Sequence, residues 1–272
     1  MKLSISNIAW SSKPLETYLH KIRELGCQGI ELAPSLIWNE PIDANASQIK
    51  KIKKIIEDAD LEIVGLHALL FSRPDLQLFS SRESNKRTLE YLSRLLTLCS
   101  DLGGNQIVFG SPSNRKLHNR NYDNCYNQSI RDFNYLGEQA AKNNIFFCIE
   151  PLSSRETEFI QSVKEGGELV KKVNHSNFKL HIDTKSIFNS KESIRELTSK
   201  YSNLIQHVHV GDIDLKEPGS INTGHLEIGQ ALREISYNKY VSIEMRENKK
   251  HTFTPIKRSI NLLKKTYKHD SD

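Results

Sequence analysis

Short apolar blocks alternate with charged segments of helical length along the chain. Each block has the length and the β-branched or aromatic content of a buried strand, and each charged segment is long enough for an amphipathic helix. The pattern predicts strands at Leu3 to Ile8, Gly29 to Ala33, Glu62 to Leu69, Gln106 to Gly110, Ile145 to Glu150, Phe178 to Asp183, Ile205 to Val210 and Tyr240 to Glu244. It predicts helices at Pro14 to Leu25, Ala46 to Ala59, Arg82 to Leu102, Tyr122 to Asn143, Phe159 to Val173, Ser190 to Tyr201, His225 to Ser236 and Thr254 to Tyr267.

This alternation predicts a closed α/β barrel. Blocks such as IFFCI and IQHVHV continue without a polar face, as strands do when they are buried on both sides. Strands and helices that alternate with short connections pair in parallel, and eight such units close into a (β/α)8 TIM barrel. An open doubly wound sheet is the alternative. Such a sheet usually begins with a glycine-rich phosphate turn, whereas no GxGxxG follows the first strand here.

The length and composition fit one domain of this class. The 272 residues contain no composition shift, linker or low-complexity segment, so residues 1–272 are expected to form one domain, with 268–272 as a frayed tail. No apolar run approaches the ~20 residues of a membrane span, and the N-terminus lacks the apolar stretch of a signal peptide. We therefore expect a cytoplasmic protein with no membrane partner. The four cysteines show no CxxC spacing, which argues against a zinc ribbon or a disulfide framework.

The basic balance of the chain does not by itself indicate nucleic-acid binding. The formal net charge is +5, from 38 basic and 33 acidic residues, and much of the excess lies in residues 249–268. A solvated basic helix accounts for this excess, because nucleic-acid binding requires a clustered face and preferably aromatic residues or a known motif. We expect no nucleic-acid partner, and a homo-oligomer is left open.

Acidic and histidine side chains stand at the ends of the last predicted strands. Functional groups of such a barrel project from the C-terminal strand ends, where the chain has Glu150, Asp183, His209 and Glu244. Carboxylates that converge on one barrel mouth repel each other unless a cation or bound protons offset their charge. Three oxygens and one nitrogen suit a divalent Mn, Mg, Co or Zn ion with positions open for substrate oxygens. We therefore predict that these four residues bind a metal ion.

Two further histidines precede these strand ends by two residues. His207 has the same parity as His209 and lies one layer deeper, so it is expected to pack in the interior or to hydrogen-bond a neighbouring carboxylate. The same interpretation applies to His181 before Asp183.

The ordered segments CIEPLSSRE, HIDT, HVHVGD, PGSINTGHLEIGQALREI and SIEMR resemble the sugar phosphate isomerase/epimerase family, the xylose isomerase-like TIM barrels. The resemblance runs from GIELAPS on the second strand to the last strand. Family members include ketose 3-epimerases, hydroxypyruvate isomerase, inosose dehydratase and endonuclease IV. In the epimerase branch the metal ligands match the same four residues, and Glu150 and Glu244 also match the acid/base pair.

The resemblance implies a divalent-metal-dependent isomerase or epimerase. Its substrate would be a sugar, a sugar phosphate or a related polyhydroxy carbonyl compound, and carboxylates would transfer a proton through an enediolate. A dehydratase or lyase on the same scaffold and a non-catalytic sugar-binding barrel remain alternatives. The family spacing EPxxxxE is present as Glu150, Pro151 and Glu156, which implies that Glu156 helps to hold the substrate.

This chain lacks some residues that are typical of individual branches of the family. Ketose 3-epimerases have a histidine where this chain has Ser186 and an arginine where it has Leu215, and both of those residues contact the sugar in that branch. Endonuclease IV builds a three-zinc site with additional histidines and aspartates. This chain keeps His67 and His225 at matching places, but it has Gly110, Ser186 and Thr223 at others. The resemblance therefore does not extend to a three-metal phosphodiesterase.

The remaining candidate substrate contacts lie in the predicted loops at the same end of the barrel. His67 follows the third strand. Arg115 in GSPSNRK and Arg246 after Glu244 can pair with a phosphate or carboxylate of the substrate, or they can tie loops together by salt bridges. Trp10 can cover the apolar face of a sugar or pack in the core.

Overall fold

Hydrogen bonding between the first and last strands closes the sheet into a barrel. The computed structural model describes residues 1–190, 192–221 and 223–268. Within these residues all eight strands pair in parallel and in chain order, and β1 also pairs with β8, with Lys2 opposite Tyr240 and Ile5 opposite Ile243. The predicted (β/α)8 TIM barrel is confirmed, and the open sheet is excluded. The strands are β1 Lys2–Ser6, β2 Gly29–Leu32, β3 Glu62–Leu66, β4 Gln106–Phe109, β5 Phe146–Ile149, β6 Phe178–Asp183, β7 Ile205–Val210 and β8 Tyr240–Ile243.

Helices follow the strands, and several of them begin at side-chain caps. Asn45 and Gln48 form a reciprocal capping box at the start of the second helix, and the third helix ends at Gly103, whose φ of 85° favours a residue without a Cβ. The helices are α1 Leu19–Glu24, α2 Ala46–Glu57, α3 Arg82–Leu102, α4 Tyr122–Lys142, α5 Val163–Val173, α6 Thr184–Asn189, α7 Ile194–Tyr201, α8 His225–Glu234 and α9 Phe253–Thr266.

Three segments differ from the predicted elements. The chain leaves β1 for a 3-10 turn at Asn7–Trp10 instead of continuing the strand to Ile8. The helix α5 begins at Val163, because the hydroxyl of Ser162 caps it by accepting a hydrogen bond from the Glu165 amide. The short helix α6 directly after β6 was not predicted, and it carries a residue of the site described below. The predicted frayed tail lies outside the described residues except for Lys268, and the extent of the domain over 1–272 stays a prediction.

An aromatic cluster fastens the helical layer to the barrel. The ring centroid of Phe133 on α4 lies 6.0, 5.9 and 5.2 Å from the ring centroids of Phe109 on β4, Phe147 on β5 and Phe178 on β6, respectively. All four side chains are fully buried. One helix residue thus packs against three successive strands. Among the described residues, no helix has the length and apolar character needed to cross a bilayer.

Replacing Phe133 by alanine is expected to lower the free energy of unfolding by about 3–5 kcal/mol, because the change leaves a cavity among three packed rings. Chemical denaturation of the purified variant measures this loss. Tyr135→Ala is the matched control on the same helix, because Tyr135 is 38% exposed, and its effect should stay within about 0.5 kcal/mol. Equal losses in the two variants would contradict the role assigned to the cluster.

Candidate active site

The side chains at the ends of the last four strands meet in one buried cluster. One ligand atom from each of Glu150, Asp183, His209 and Glu244 lies within 4.8 Å of the others, the largest such group in the described part of the chain. The parallel register produces this convergence, because Asp183 on β6 pairs directly with His209 on β7. The four residues predicted as metal ligands are therefore close enough to share one ion, although their role as ligands stays a prediction.

Exposure divides the cluster into two pairs. Asp183 and His209 are 1% and 0% exposed, whereas Glu150 and Glu244 are 6% and 8% exposed. The two glutamates follow β5 and β8 directly, and their carboxylates form the side of the cluster that solvent reaches. Glu150 and Glu244 are therefore the two members of the set that keep some contact with solvent.

Lys185, which the sequence analysis did not single out, lies among the three acids. Its Nζ is 3.2 Å from Oε1 of Glu150 and 3.3 Å from Oε2 of Glu244, and it forms an ion pair with Asp183. The Asp183 carboxylate also caps α6 by accepting a hydrogen bond from the Lys185 amide at 2.9 Å. The short helix turns the chain back over the cluster and places the lysine there. The only signal in the sequence is that an aspartate precedes Lys185 by two residues, a common start of a helix.

Glu31 on β2 was also missed, and it holds two histidines from below the cluster. Its Oε2 lies 2.8 Å from Nε2 of His209, and its Oε1 lies 3.2 Å from Nε2 of His207. All three side chains are fully buried. His207 is thus packed in the interior with a carboxylate beside its ring. A charged residue inside the otherwise apolar strand GIEL is the signal that could have identified Glu31.

Two further histidines contact the cluster. Nδ1 of His67 lies 3.1 Å from Oε1 of Glu244, and its Nε2 lies 2.5 Å from the hydroxyl of Ser6. His67 therefore fixes one oxygen of Glu244. The ring centroids of His181 and His209 lie 4.2 Å apart. Burial lowers the pKa of His181 well below its usual value, so this imidazole is neutral.

The ionisation of the cluster depends on its opposite charges. Burial opposes ionisation of Glu244, but the Lys185 ammonium and His209 hold the pKa of Glu244 well below its ordinary value. Burial raises the pKa of Asp183 to about 7, with Lys185 acting against the shift and the two glutamates adding to it. Burial opposes the charge of His209, but Glu31 and Glu244 raise the pKa of His209 well above its ordinary value. The acids therefore require positive charge within their own site.

The donor set fits a divalent metal ion. Three carboxylates and one imidazole supply hard oxygen and borderline nitrogen ligands. Metal-bound histidines commonly give their second ring nitrogen to a carboxylate, which fixes the orientation of the ring. His209 has this arrangement, because Glu31 binds its Nε2 while its Nδ1 faces Glu244 at 3.5 Å. The structure thus contains a potential metal-binding cluster.

Gly110 at the end of β4 provides space for the Glu150 carboxylate. A Cβ atom built at this position would lie 2.1 Å from Oε2 of Glu150, closer than non-bonded atoms approach. Any other residue at position 110 would therefore displace the acid.

The other predicted substrate contacts differ in how accessible they are. Glu156 is exposed and accepts hydrogen bonds from the amide and hydroxyl of Ser153 at 3.2 and 2.8 Å. Arg246 is exposed at the mouth.

Arg115 is fully buried and donates from Nη1 to the carbonyl oxygen of Glu150 at 2.9 Å. Trp10 is 1% exposed and donates from its indole nitrogen to the carbonyl of Leu15. Arg115 therefore positions the Glu150 backbone, and Trp10 packs in the core. Substrate contact by Glu156, Arg246, Arg115 and Trp10 stays a prediction.

Comparisons with known proteins agree with the fold. A family model described as xylose isomerase-like TIM barrel matches residues 19–266. D-psicose 3-epimerase from Ruminiclostridium cellulolyticum is 26% identical over 234 residues, which cover 84% of this chain and 76% of the relative. D-psicose 3-epimerase from Agrobacterium fabrum is 26% identical over 244 residues, or 86% of this chain and 80% of the relative.

Solved structures share the architecture over nearly the whole chain. D-psicose 3-epimerase from Clostridium cellulolyticum with D-tagatose has a TM-score of 0.83 at 19% identity, covering 99% of this chain and 100% of its own. 3-Keto-D-glucoside 4-epimerase from E. coli has a TM-score of 0.82 at 18% identity, covering 97% of this chain and 99% of its own. At these identities the likeness demonstrates the fold.

Glu31→Gln is expected to weaken Mn²⁺ binding about 10- to 100-fold, because His209 loses the carboxylate that orients it and raises its basicity. Isothermal titration calorimetry measures the affinity. Glu62→Gln on the neighbouring strand is the control, because Glu62 is an exposed acid whose partners, Lys2 and Tyr240, lie outside the cluster. An unchanged Mn²⁺ affinity in a folded Glu31→Gln variant would contradict the role of Glu31.

Proposed function

Because the chain belongs to the family of xylose isomerase-like TIM barrels, we propose that it is a divalent-metal-dependent isomerase or epimerase. Its substrate is a sugar, a sugar phosphate or a related polyhydroxy carbonyl compound, a class that includes the D-psicose named for its relatives. One observation carries the proposal. Of the four clustered residues, the two glutamates, which follow β5 and β8, are the ones that solvent still reaches.

The proposed metal ligands are carboxylate oxygens of Glu150, Asp183 and Glu244 together with Nδ1 of His209. A bound Mn, Mg, Co or Zn ion supplies Lewis acidity, which makes the C–H bond beside a substrate carbonyl more acidic. Asp183 and His209 are the covered members of the set and therefore act as ligands alone.

The two glutamates are the proposed proton-transfer groups. One carboxylate removes the proton beside the carbonyl, and the other returns a proton to the enediolate of the substrate. Return to the opposite face of the same carbon gives an epimer, whereas return to the neighbouring carbon gives an aldose–ketose isomer. His67 fixes Oε1 of Glu244 and Arg115 binds the Glu150 carbonyl, so both acids are oriented before substrate enters.

The substrate side of the site differs from that of the ketose 3-epimerases, so the proposal names a class of substrate. Ser186 donates its hydroxyl hydrogen bond to the carbonyl of Pro151 at 2.9 Å, and Leu215 lies in a 3-10 turn after β7. Neither supplies the sugar contact of that branch. We assign substrate binding to the accessible Glu156 and Arg246 in addition to His67. A small-molecule substrate and a cytoplasmic location, with no nucleic-acid or membrane partner, are part of the proposal.

Glu150→Gln and Glu244→Gln are each expected to lower the rate of substrate C–H exchange with deuterated water by about 10²–10⁴-fold, because each removes one proton-transfer group. Exchange into a panel of ketoses, aldoses and their phosphates is followed by NMR in the presence of Mn²⁺. Glu138→Gln is the control, because Glu138 is exposed on α4, and its rate should equal that of the unsubstituted protein. Chelation of the metal should abolish exchange.

The other outcomes identify the alternatives. Release of water from the substrate would identify a dehydratase. Tight Mn²⁺ binding without exchange on any compound of the panel would favour a sugar-binding barrel. Undiminished exchange in both glutamine variants would contradict the assignment of the acids.

A further inference from the structure

The ammonium group of Lys185 lies where the proposed metal ligands converge. Glu150 and Glu244 each place a carboxylate oxygen within 3.3 Å of Nζ, and Asp183 forms an ion pair with it. Three of the four proposed ligands thus contact this one cation. The side chain of Lys185 is 9% exposed, so little solvent screens these contacts.

A divalent ion bound to the same oxygens would lie very close to this ammonium. Metal–oxygen bonds are about 2.0–2.6 Å long in such sites, shorter than the contacts that the acids make with Nζ. Two cations at that separation repel strongly where water is excluded. The acids can therefore neutralise the metal ion or the ammonium group, and not both in the observed arrangement.

The backbone of Lys185 is fixed, whereas its side chain is long and flexible. The Lys185 amide donates to Asp183 at 2.9 Å, and the Lys185 carbonyl accepts a hydrogen bond from the side chain of Asn189 at 2.9 Å. The lysine side chain has a flexible stem of four carbons. Rotation about the bonds of this stem moves the ammonium group without disturbing the helix that carries the residue. Displacement of the ammonium is thus possible without unfolding α6.

We propose that Lys185 is a tethered counter-cation that competes with the divalent metal ion for Glu150, Asp183 and Glu244. Metal binding displaces the ammonium from the acids, so Lys185 sets the metal affinity of the site. This inference rests on the proposed metal site. It adds a residue that lowers the affinity and that also stabilises the three acids when no metal ion neutralises them.

Lys185→Met tests the competition, because methionine keeps an unbranched side chain, one atom shorter than that of lysine, and removes the charge. Calorimetric titration with Mn²⁺ should show about 10- to 100-fold tighter binding, because the metal ion no longer has to break buried ion pairs. Thermal unfolding in chelator should occur at a lower temperature than for the unsubstituted protein, and Mn²⁺ should raise the midpoint by more. Lys179→Met is the control, because Lys179 lies near the start of β6, the strand that precedes α6, and so stands at the opposite end of the barrel from the cluster.

A second measurement uses the unsubstituted protein and does not depend on the folding of a variant. Acetylation of Lys185 by a small amine-reactive reagent is followed by peptide mass spectrometry with and without Mn²⁺. Displacement from the acids should increase the modification of Lys185 several-fold and leave that of Lys179 unchanged. Equal modification of Lys185 under both conditions would overturn the proposal.

The results separate this inference from the proposed function. Equal Mn²⁺ affinity of the unsubstituted protein and Lys185→Met would overturn the competition and leave the metal site intact. Absence of Mn²⁺ binding in both proteins would overturn the metal site, and the competition with it.

Discussion

The need to neutralise acidic side chains inside the barrel governs the whole site. Glu150, Asp183 and Glu244 stand within a few ångströms of one another and are almost completely buried. Such a group is unstable without positive charge in contact with it. Lys185 and His209 supply that charge, and neighbouring parts of the fold hold both residues in place. The short helix α6 carries the lysine, and Glu31 fixes the imidazole from the interior of the barrel.

The fold and the four clustered residues could be predicted from the sequence because both depend on topology. Once eight strands alternate with helices, parallel pairing brings the strand ends to one mouth, and Glu150, Asp183, His209 and Glu244 must meet there. Lys185 and Glu31 could not be predicted in this way. The position of Lys185 depends on the cap that Asp183 forms at α6, and the orientation of Glu31 depends on the register of β2 against its neighbours. Neither the side-chain cap nor the barrel twist is visible in a pattern of apolar and polar residues.

The strand ends of the site and the segments that follow those strands differ in how closely they match the relatives. The four clustered residues stand at strand ends, whose positions are fixed by the barrel that this chain shares with solved epimerases at TM-scores above 0.8. The proposed substrate contacts lie mainly in the segments that follow the strands, where Ser186 and Leu215 depart from the resemblance to the ketose branch. Ser186 is used within the protein, since it binds the Pro151 carbonyl and joins α6 to the loop after β5. The cluster therefore depends on the barrel itself, whereas the segments around it depend on local contacts such as this one.

The close approach of Glu150 to Gly110 restricts which residue can stand at the end of β4. The carboxylate occupies the volume that any larger residue at position 110 would need. A side chain introduced at the end of the fourth strand would therefore push this acid away from its present position. Through one absent Cβ, the fourth strand thus sets the location of a carboxylate that the fifth strand carries.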